Sequence, residues 1–357
     1  MSEIVQAQKR FYYMDALNVL ACFAVVALHS STAVYFNEGS LYWRYCVAIQ
    51  SAFIFAVPIF LMISGANLLG YRKRYSTKEF FKKRMSRILG VFLGCSVLVY
   101  VLQCLPVEAF NWGWRQPSLE DFVRSFLDNS IDNIYWYFYV IIGLYLVTPI
   151  FSKIADDKRL MEYALVVCAV TSMVFPLVTR FLDGYEAFAG FTYPYLSSWL
   201  FYYFAGYYLN AHLDKRIPLP ALLVAMVCSI AIMFVMTVHT NDIARMAAVG
   251  VVKYDGFYTN ALGLPAAALS MSLFVIGKQL NEAIGSLSCY SAIKGLSALS
   301  LGIYAMHMQV RNVIGGFLDA NVEHCVLLKA IVIYVASAAL VFVYRLLKAK
   351  AKKTAAR

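Results

Sequence analysis

Residues 14–35 read MDALNVLACFAVVALHSSTAVY, and this apolar run decides the fold class. A helix needs about 20 predominantly apolar residues to cross the hydrocarbon core of a bilayer, and the run meets that length. The same character extends through the chain of 357 residues, of which 61% are hydrophobic and 14% are charged. These proportions exclude an ordinary soluble globular protein. The sequence therefore predicts an all-α integral membrane protein.

Apolar windows of spanning length recur along the chain, and we expect about ten transmembrane helices in one domain over residues 1–347. An even number of spans places both termini on the same side of the membrane. Residues 348–357 then form a basic tail that lies near anionic lipid. The windows are 14–35, 45–69, 88–105, 135–151, 161–179, 194–211, 218–238, 259–280, 296–317 and 325–346.

The net charge of +11 is distributed unevenly along the sequence. Lys and Arg concentrate in alternate loops, above all in residues 70–87, whereas the long loop at 106–134 is richer in Asp and Glu. An excess of Lys and Arg marks the cytoplasmic loops of membrane proteins. The pattern predicts cytoplasmic N- and C-termini and an external 106–134 loop. It also assigns the positive charge to membrane orientation and not to nucleic-acid binding.

The eight cysteines form no Cys-x-x-Cys pair and no cluster with histidine. This arrangement argues against a metal site and against redox chemistry. We expect the cysteines to be small hydrophobic residues of the core.

The second window contains the segment VPIFLMISGANLL, residues 57–69, with Pro58, Ser64 and Gly65. Proline and small residues within a span are typical of a kink and of close helix packing. Ser64 lacks the G-x-S-x-G context of a nucleophile. The segment therefore favours a packing role.

Four polar residues of the first span are candidates for a functional site. Asp15, Asn18, Cys22 and His29 lie within about 60° of one another around a helix, so they line one face. His29 lies about 21 Å beyond Asp15 along the helix axis, in the outer half of the membrane. We take His29 as a general base and Asp15 as a second catalytic candidate. The alternatives are a core histidine bonded to a neighbouring helix and a carboxylate at the helix start.

Arg84 and Arg87, in FFKKRMSRI at residues 80–88, are one turn apart at the cytoplasmic mouth of the third span. Guanidinium pairs bind phosphate oxygens, so these two are candidates for the phosphates of a nucleotide-bearing donor. A loop that only sets membrane orientation needs no ligand and is the alternative.

Further candidates for substrate binding lie in the later spans. Tyr304, His307 and Arg311 share one face of the ninth window. His307 is a candidate for binding a substrate, and a buried hydrogen bond to another helix is the alternative. Trp136 and Tyr139, in the aromatic run YWYFY, offer faces on which sugar rings stack, and the alternative is the usual interfacial aromatic belt, which accounts for most such residues.

Five segments together resemble the bacterial membrane acyltransferase 3 family, the sugar O-acyltransferase or O-acetyltransferase group, across nearly the whole chain. The first span is similar to the family pattern that ends in histidine, and residues 80–88 resemble its arginine-x-x-arginine motif. The late segment resembles its serine-leucine-glycine-isoleucine-tyrosine-x-x-histidine motif. The segments are MDALNVLACFAVVALHS (14–30), VPIFLMISGANLL (57–69), FFKKRMSRI (80–88), NIYWYFYVIIGLYLVTP (133–149) and SLGIYAMHM (300–308).

The resemblance implies transfer of an acyl group, commonly acetyl, from cytoplasmic acyl-CoA to a hydroxyl group at the outer face of the bacterial cytoplasmic membrane. The acceptor is an envelope glycan, a glycolipid or a peptidoglycan-related molecule. Acetyl-CoA is then a donor substrate, and no tightly bound cofactor or metal is implied. His29 takes the place of the family's essential histidine, and Arg84 and Arg87 take the place of its donor-associated pair. Asn18 departs from the pattern, because many members have arginine there.

Two other functions are compatible with polar residues inside helices. One is a transporter or flippase for a lipid-linked glycan, which inverted repeats would favour, and none is apparent. The other is a catalytically lapsed sensor that still binds the acceptor, which the asparagine at position 18 suggests.

Overall fold

The computed structural model describes residues 11–107, 115–182, 194–248, 250–322 and 324–355, and over these ranges the regular secondary structure is helical. The first half contains α1 (Tyr12–Ser30), α2 (Leu41–Phe53), α3 (Ala56–Leu68), α4 (Thr77–Cys104), α5 (Leu119–Leu127), α6 (Trp136–Phe151) and α7 (Lys158–Ala169). The second half contains α8 (Phe175–Phe181), α9 (Pro194–Ala211), α10 (Leu219–Ala247), α11 (Leu264–Gln279), α12 (Asn281–Gly285), α13 (Tyr290–Val322) and α14 (Val326–Ala355).

The all-α membrane fold predicted from the sequence is confirmed. Seven helical stretches of the described chain are long and apolar enough to cross a membrane. They are Tyr12–Phe36, Leu41–Lys73, Thr77–Cys104, Asn133–Phe151, Lys158–Phe181, Leu219–Ala247 and Val326–Thr354. The other three predicted windows correspond to α9, to the shorter apolar helix α11 and to α13. Each predicted window therefore contains a helix, and ten crossings stay a prediction.

Polar contacts in the loops and at the helix ends fall into two sets that match the predicted sides of the membrane. On the predicted cytoplasmic side, Lys73 pairs with Asp156 at 2.6 Å, and Lys278 donates to the carbonyl of Leu213 at 2.7 Å. On the predicted outer side, Arg44 pairs with Asp242 at 2.9 Å. Residues expected on one side of the membrane thus contact one another. Residues 1–10, 108–114 and 356–357 lie outside the described residues, and with them lie the predicted cytoplasmic N-terminus and part of the predicted external loop. The predicted basic tail continues α14 as far as Ala355.

Helix α1 is the centre of the bundle. It packs against α2, α3, α11, α13 and α14, and many of its apolar side chains are almost fully buried. A helix with neighbours on several sides carries its polar side chains inside the protein, away from lipid. This position brings the first-span candidates into the interior.

Helices α3 and α9 cross at unusually short range, as the small residues of the second window predict. A Cβ atom added at Gly65 would lie 1.8 Å from the carbonyl oxygen of Tyr203, and one added at Gly206 would lie 2.0 Å from that of Met62. No side chain fits in such a space, so glycine is required where the two backbones touch. The crossing holds α3 against the central helix bundle.

We expect Gly65→Ala to lower the free energy of unfolding by about 1–3 kcal/mol, because the new methyl group forces the two backbones apart. The measurement is the thermal unfolding of the purified protein in detergent. Gly94→Ala is the matched control, since a Cβ atom there meets nothing within 4 Å. The control should be neutral or slightly stabilising, because alanine favours helix more than glycine does. Equal stability of the two variants would contradict the close crossing.

Candidate active site

The polar face of α1 packs along α13, and the two helices run parallel. Residues later in α1 contact residues later in α13. Asn18 donates to Ser297 Oγ at 3.0 Å, and the thiol of Cys22 lies 3.6 Å from the carbonyl oxygen of Ser300. Further along, the ring of His29 lies 5.2 Å from that of His307, measured between centroids. The predicted polar stripe is therefore an interhelical seam whose partner is the late segment of the sequence.

The start of the seam is a hydrogen-bonded cluster around Asp15. Its carboxylate accepts from the hydroxyl of Tyr290 at 2.6 Å and from that of Ser297 at 2.8 Å. Ser297 in turn accepts from Asn18. Asp15 and His29 belong to the first and last turns of α1, about 21 Å apart. The structure does not bring them together, and the contacts of Asp15 are those of a residue that fixes α1 against α13.

A cavity of about 170 Å³ opens beside this cluster, and we call it the inner cavity. Five helices, α1, α3, α4, α6 and α13, line it. Each of the five sequence segments quoted for the family resemblance contributes to its wall. The lining residues are Asn18, Phe60, Ile63, Ser64, Arg84, Arg87, Ile88, Tyr137, Ile141, Tyr145, Ser297, Ser300, Leu301 and Tyr304.

Arg84 and Arg87 give the inner cavity its charge. Neither arginine forms a salt bridge with a described residue. Nε of Arg84 is buried and has no hydrogen-bond partner among the described residues. A buried donor without a partner is costly and is often satisfied by a ligand or by water. Two guanidinium groups in a cavity with no carboxylate among its described lining residues suit an anionic ligand.

The histidine pair lies further along the seam. His307 is fully buried, and its Nδ1 lies 2.7 Å from the carbonyl oxygen of Tyr304. A carbonyl oxygen only accepts, so Nδ1 carries the proton and Nε2 carries the lone pair in the neutral ring. Nε2 has no hydrogen-bond partner among the described residues. His29, which is half-buried, lies against this ring.

A larger cavity of about 780 Å³ lies at the predicted outer side, and we call it the outer cavity. It is formed by α13, by the end of α4 and by the segment that includes α5. Its lining residues among those described are Gln103, Arg115, Gln116, Ser118, Asp121, Asn129, Ser130, Ile131, Asp132, Asn133, Met308, Gln309 and Asn312.

Two carboxylates of the outer cavity have opposite environments. The hydroxyl of Tyr100 donates to Asp121 at 2.9 Å, and Arg115 lies 3.0 Å away; together they hold the pKa of Asp121 below its usual value. Burial raises the pKa of Asp132, while the bonds from the backbone of Ile134 and from Gln309 oppose that effect.

Only a short barrier separates the two cavities. On α13, Tyr304 lines the inner cavity and Met308 lines the outer one, about 6 Å further along the axis. The hydroxyl of Tyr304 donates to the carbonyl of Ile134, and that of Tyr135 donates to the carbonyl of Ala305 at 3.1 Å. These bonds close the barrier, and the buried His307 lies within it.

Some predicted residues lie outside both linings. Tyr139 packs its ring on Phe92 and donates its hydroxyl to the carbonyl of Phe126. Trp136 packs against Trp199, with ring centroids 5.1 Å apart. Their substrate-binding roles stay predictions. Sequence reasoning missed Ser297 and Asp132, although the acidic character of the external loop was a signal for the latter.

Comparison with known families identifies the family of the chain. A family model described as an acyltransferase domain, that of the acyltransferase 3 family, matches residues 11–345. The chain belongs to the acyltransferase 3 family. No curated protein and no solved structure matches it. Membership makes the chain a membrane acyltransferase, and the histidine pair between the two cavities is the candidate active site of this acyltransferase.

We expect Ser297→Ala to destabilise the acyltransferase by about 1–3 kcal/mol, because one hydroxyl serves both Asp15 and Asn18 inside the bundle. Thermal unfolding in detergent measures the effect. Ser86→Ala is the matched control, since the exposed hydroxyl of Ser86 bonds only to a carbonyl of its own helix. A loss no larger than that of the control would show that the cluster does not fix α1 on α13.

Proposed function

We propose that this acyltransferase moves an acyl group, acetyl in the first instance, from cytoplasmic acyl-CoA to a hydroxyl of an envelope glycan at the outer face of a bacterial cytoplasmic membrane. One observation carries the proposal: a cationic inner cavity and a polar outer cavity approach within about one helical turn of α13, and the histidine pair lies at that point. A reaction between substrates from opposite sides of a membrane needs such an arrangement.

The donor binds from the cytoplasmic side. Its phosphates contact Arg84 and Arg87, and the amide of Asn18 adds a polar group in the same wall. The pantetheine arm extends toward His29. Asn18 and His29 are 11 residues apart on α1, which corresponds to about 16 Å, a distance suited to an extended arm.

The chemistry is a direct acyl transfer. The acceptor oxygen attacks the thioester carbonyl, and neutral His29 takes the hydroxyl proton as the new C–O bond forms. The C–S bond breaks, and the thiolate of CoA recovers the proton from His29. Nε2 of His307 offers a lone pair that accepts a hydrogen bond from a neighbouring hydroxyl of the acceptor and so orients the sugar.

Asn18 is compatible with an active enzyme. Arg84 and Arg87 already supply positive charge to the inner cavity, while the asparagine amide is held by Ser297. A family match over residues 11–345 also favours acyl transfer over transport of a lipid-linked glycan. These observations support a working enzyme over a lapsed one.

We expect His29→Ala to reduce acyl transfer by a factor of about 10²–10⁴, the usual contribution of a general base. The measurement is mass spectrometry of base-labile acyl esters on envelope glycans from cells that make the variant, the unmodified protein or neither. His239→Ala is the control, because His239 is exposed on α10. Full transfer by a folded His29→Ala protein would rule out the role, and no ester with the unmodified protein would count against the proposed activity.

Replacement of Arg84 or Arg87 by Gln should act on the donor. We expect KM for acetyl-CoA to rise roughly 10- to 100-fold with a smaller change in kcat, because a charge-assisted bond to phosphate is lost. Initial rates with labelled acetyl-CoA in proteoliposomes measure both constants. Lys82→Gln, an exposed cation of the same segment that does not line the cavity, should leave KM unchanged. A fall in kcat alone would contradict donor binding at this pair.

A further inference from the structure

The walls of the outer cavity differ in polarity from those of the inner one. Its volume of about 780 Å³ lies in the range of small-molecule sites. Arg115 is the one cation among its described lining residues. The guanidinium group of Arg115 is already bonded to Asp121 at 3.0 Å, to Ser125 at 2.7 Å and to the carbonyl of Ser130 at 2.8 Å. The cavity therefore has no free positive charge in its described wall.

Three side-chain amides of the wall each donate a hydrogen bond to a neighbouring oxygen. Nε2 of Gln103 donates to the backbone carbonyl oxygen of Ile131 at 2.7 Å. Nδ2 of Asn129 lies 3.5 Å from the backbone carbonyl oxygen of Asn133. Carbonyl oxygens only accept, so the amide nitrogens must face them and the orientation of both amides is fixed. Gln309 likewise donates to Asp132 at 3.1 Å.

Two amide oxygens and one carboxylate of this wall can accept further hydrogen bonds. Oε1 of Gln103 and Oδ1 of Asn129 are buried and have no hydrogen-bond partner among the described residues. Asp132 accepts bonds from Gln309 and from the backbone of Ile134, but no cation of the described chain pairs with it. Buried acceptors without donors are costly, and a ligand with O–H or N–H groups satisfies them.

We propose that the outer cavity selects an uncharged, hydroxyl-rich sugar and discriminates against sugars that carry a carboxylate or phosphate. Hydroxyl groups donate to Gln103, Asn129 and Asp132. An anionic group would instead meet Asp132 at short range, with Arg115 neutralised by Asp121. This assignment rests on the proposed function, which makes the outer cavity the acceptor site, and adds the chemical class of the acceptor.

The test compares binding of two matched probes, cellotriose and its C6-oxidised counterpart cellotriouronic acid, in which carboxylates replace the CH₂OH groups. Saturation-transfer NMR on the full chain in nanodiscs at neutral pH, with each sugar titrated, gives the two affinities without any acyl donor. We expect the neutral trisaccharide to bind at least about tenfold more tightly, since like charges at close range oppose binding.

Asp132→Asn removes the charge and keeps an oxygen for the bond from the Ile134 backbone. We expect it to raise the affinity for the uronate and reduce the difference between the probes to about threefold or less. Glu120→Gln is the control, because it removes one negative charge from an exposed side chain outside the cavity, and it should leave the tenfold difference intact.

Equal or tighter binding of the uronate by the unmodified protein would overturn the inference, as would no binding of either sugar or an unchanged preference in Asp132→Asn. Acyl transfer is measured separately with the same two sugars and labelled acetyl-CoA. Selective binding without transfer would count against the proposed function and leave the inference standing. Equal transfer to both sugars would overturn the inference alone.

Discussion

The parallel contact between α1 and α13 is the constraint on which the rest of the structure depends. Polar side chains in a bilayer must find partners inside the protein, and those of α1 find them along α13. Asp15 holds the beginning of the seam through Tyr290 and Ser297, and Arg311 holds its end by donating to Thr32 at 3.1 Å. These contacts fix the axial register of the helices, since a slip of one turn would leave a carboxylate unpaired. The register places His29 beside His307.

The other helices complete two cavities around this seam, and the cavities have opposite electrostatic character. The inner one presents Arg84 and Arg87 without acidic partners in the described chain, whereas the outer one presents Asp132 and unpaired amide oxygens. In surroundings of low dielectric constant, the electrostatic interactions of these groups with a ligand are stronger than they are in water. The contrast suits the proposed reaction, in which an anionic donor and a neutral acceptor arrive from different sides, because the carboxylate of Asp132 disfavours the donor in the outer cavity.

Tight packing separates the two cavities and supports the site. Tyr304 and Tyr135 donate hydrogen bonds in opposite directions between α13 and the segment before α6, so the barrier at His307 is braced from both sides. The crossing at Gly65 and Gly206 holds α3, which contributes Phe60 and Ser64 to the inner cavity. Residues without any proposed chemical role thus determine the positions of the candidate catalytic residues. A rigid frame of this kind keeps the reacting groups in place while substrates enter and leave.

The sequence by itself determined the fold class, the approximate positions of the helices and most of the candidate functional residues. Apolar windows of spanning length and the rarity of charge within them follow from the cost of exposing polar groups to lipid, so they are readable from local composition. The same holds for the polar face of α1, since 3.6 residues per turn puts Asp15, Asn18, Cys22 and His29 together. Tertiary structure alone decided their partners. Asp15 and His29 share a face of α1 yet lie more than half the thickness of the membrane apart. Ser297 and Asp132 became candidate site residues only through their contacts with helices distant in sequence. Contacts between residues hundreds of positions apart depend on packing that no local pattern encodes.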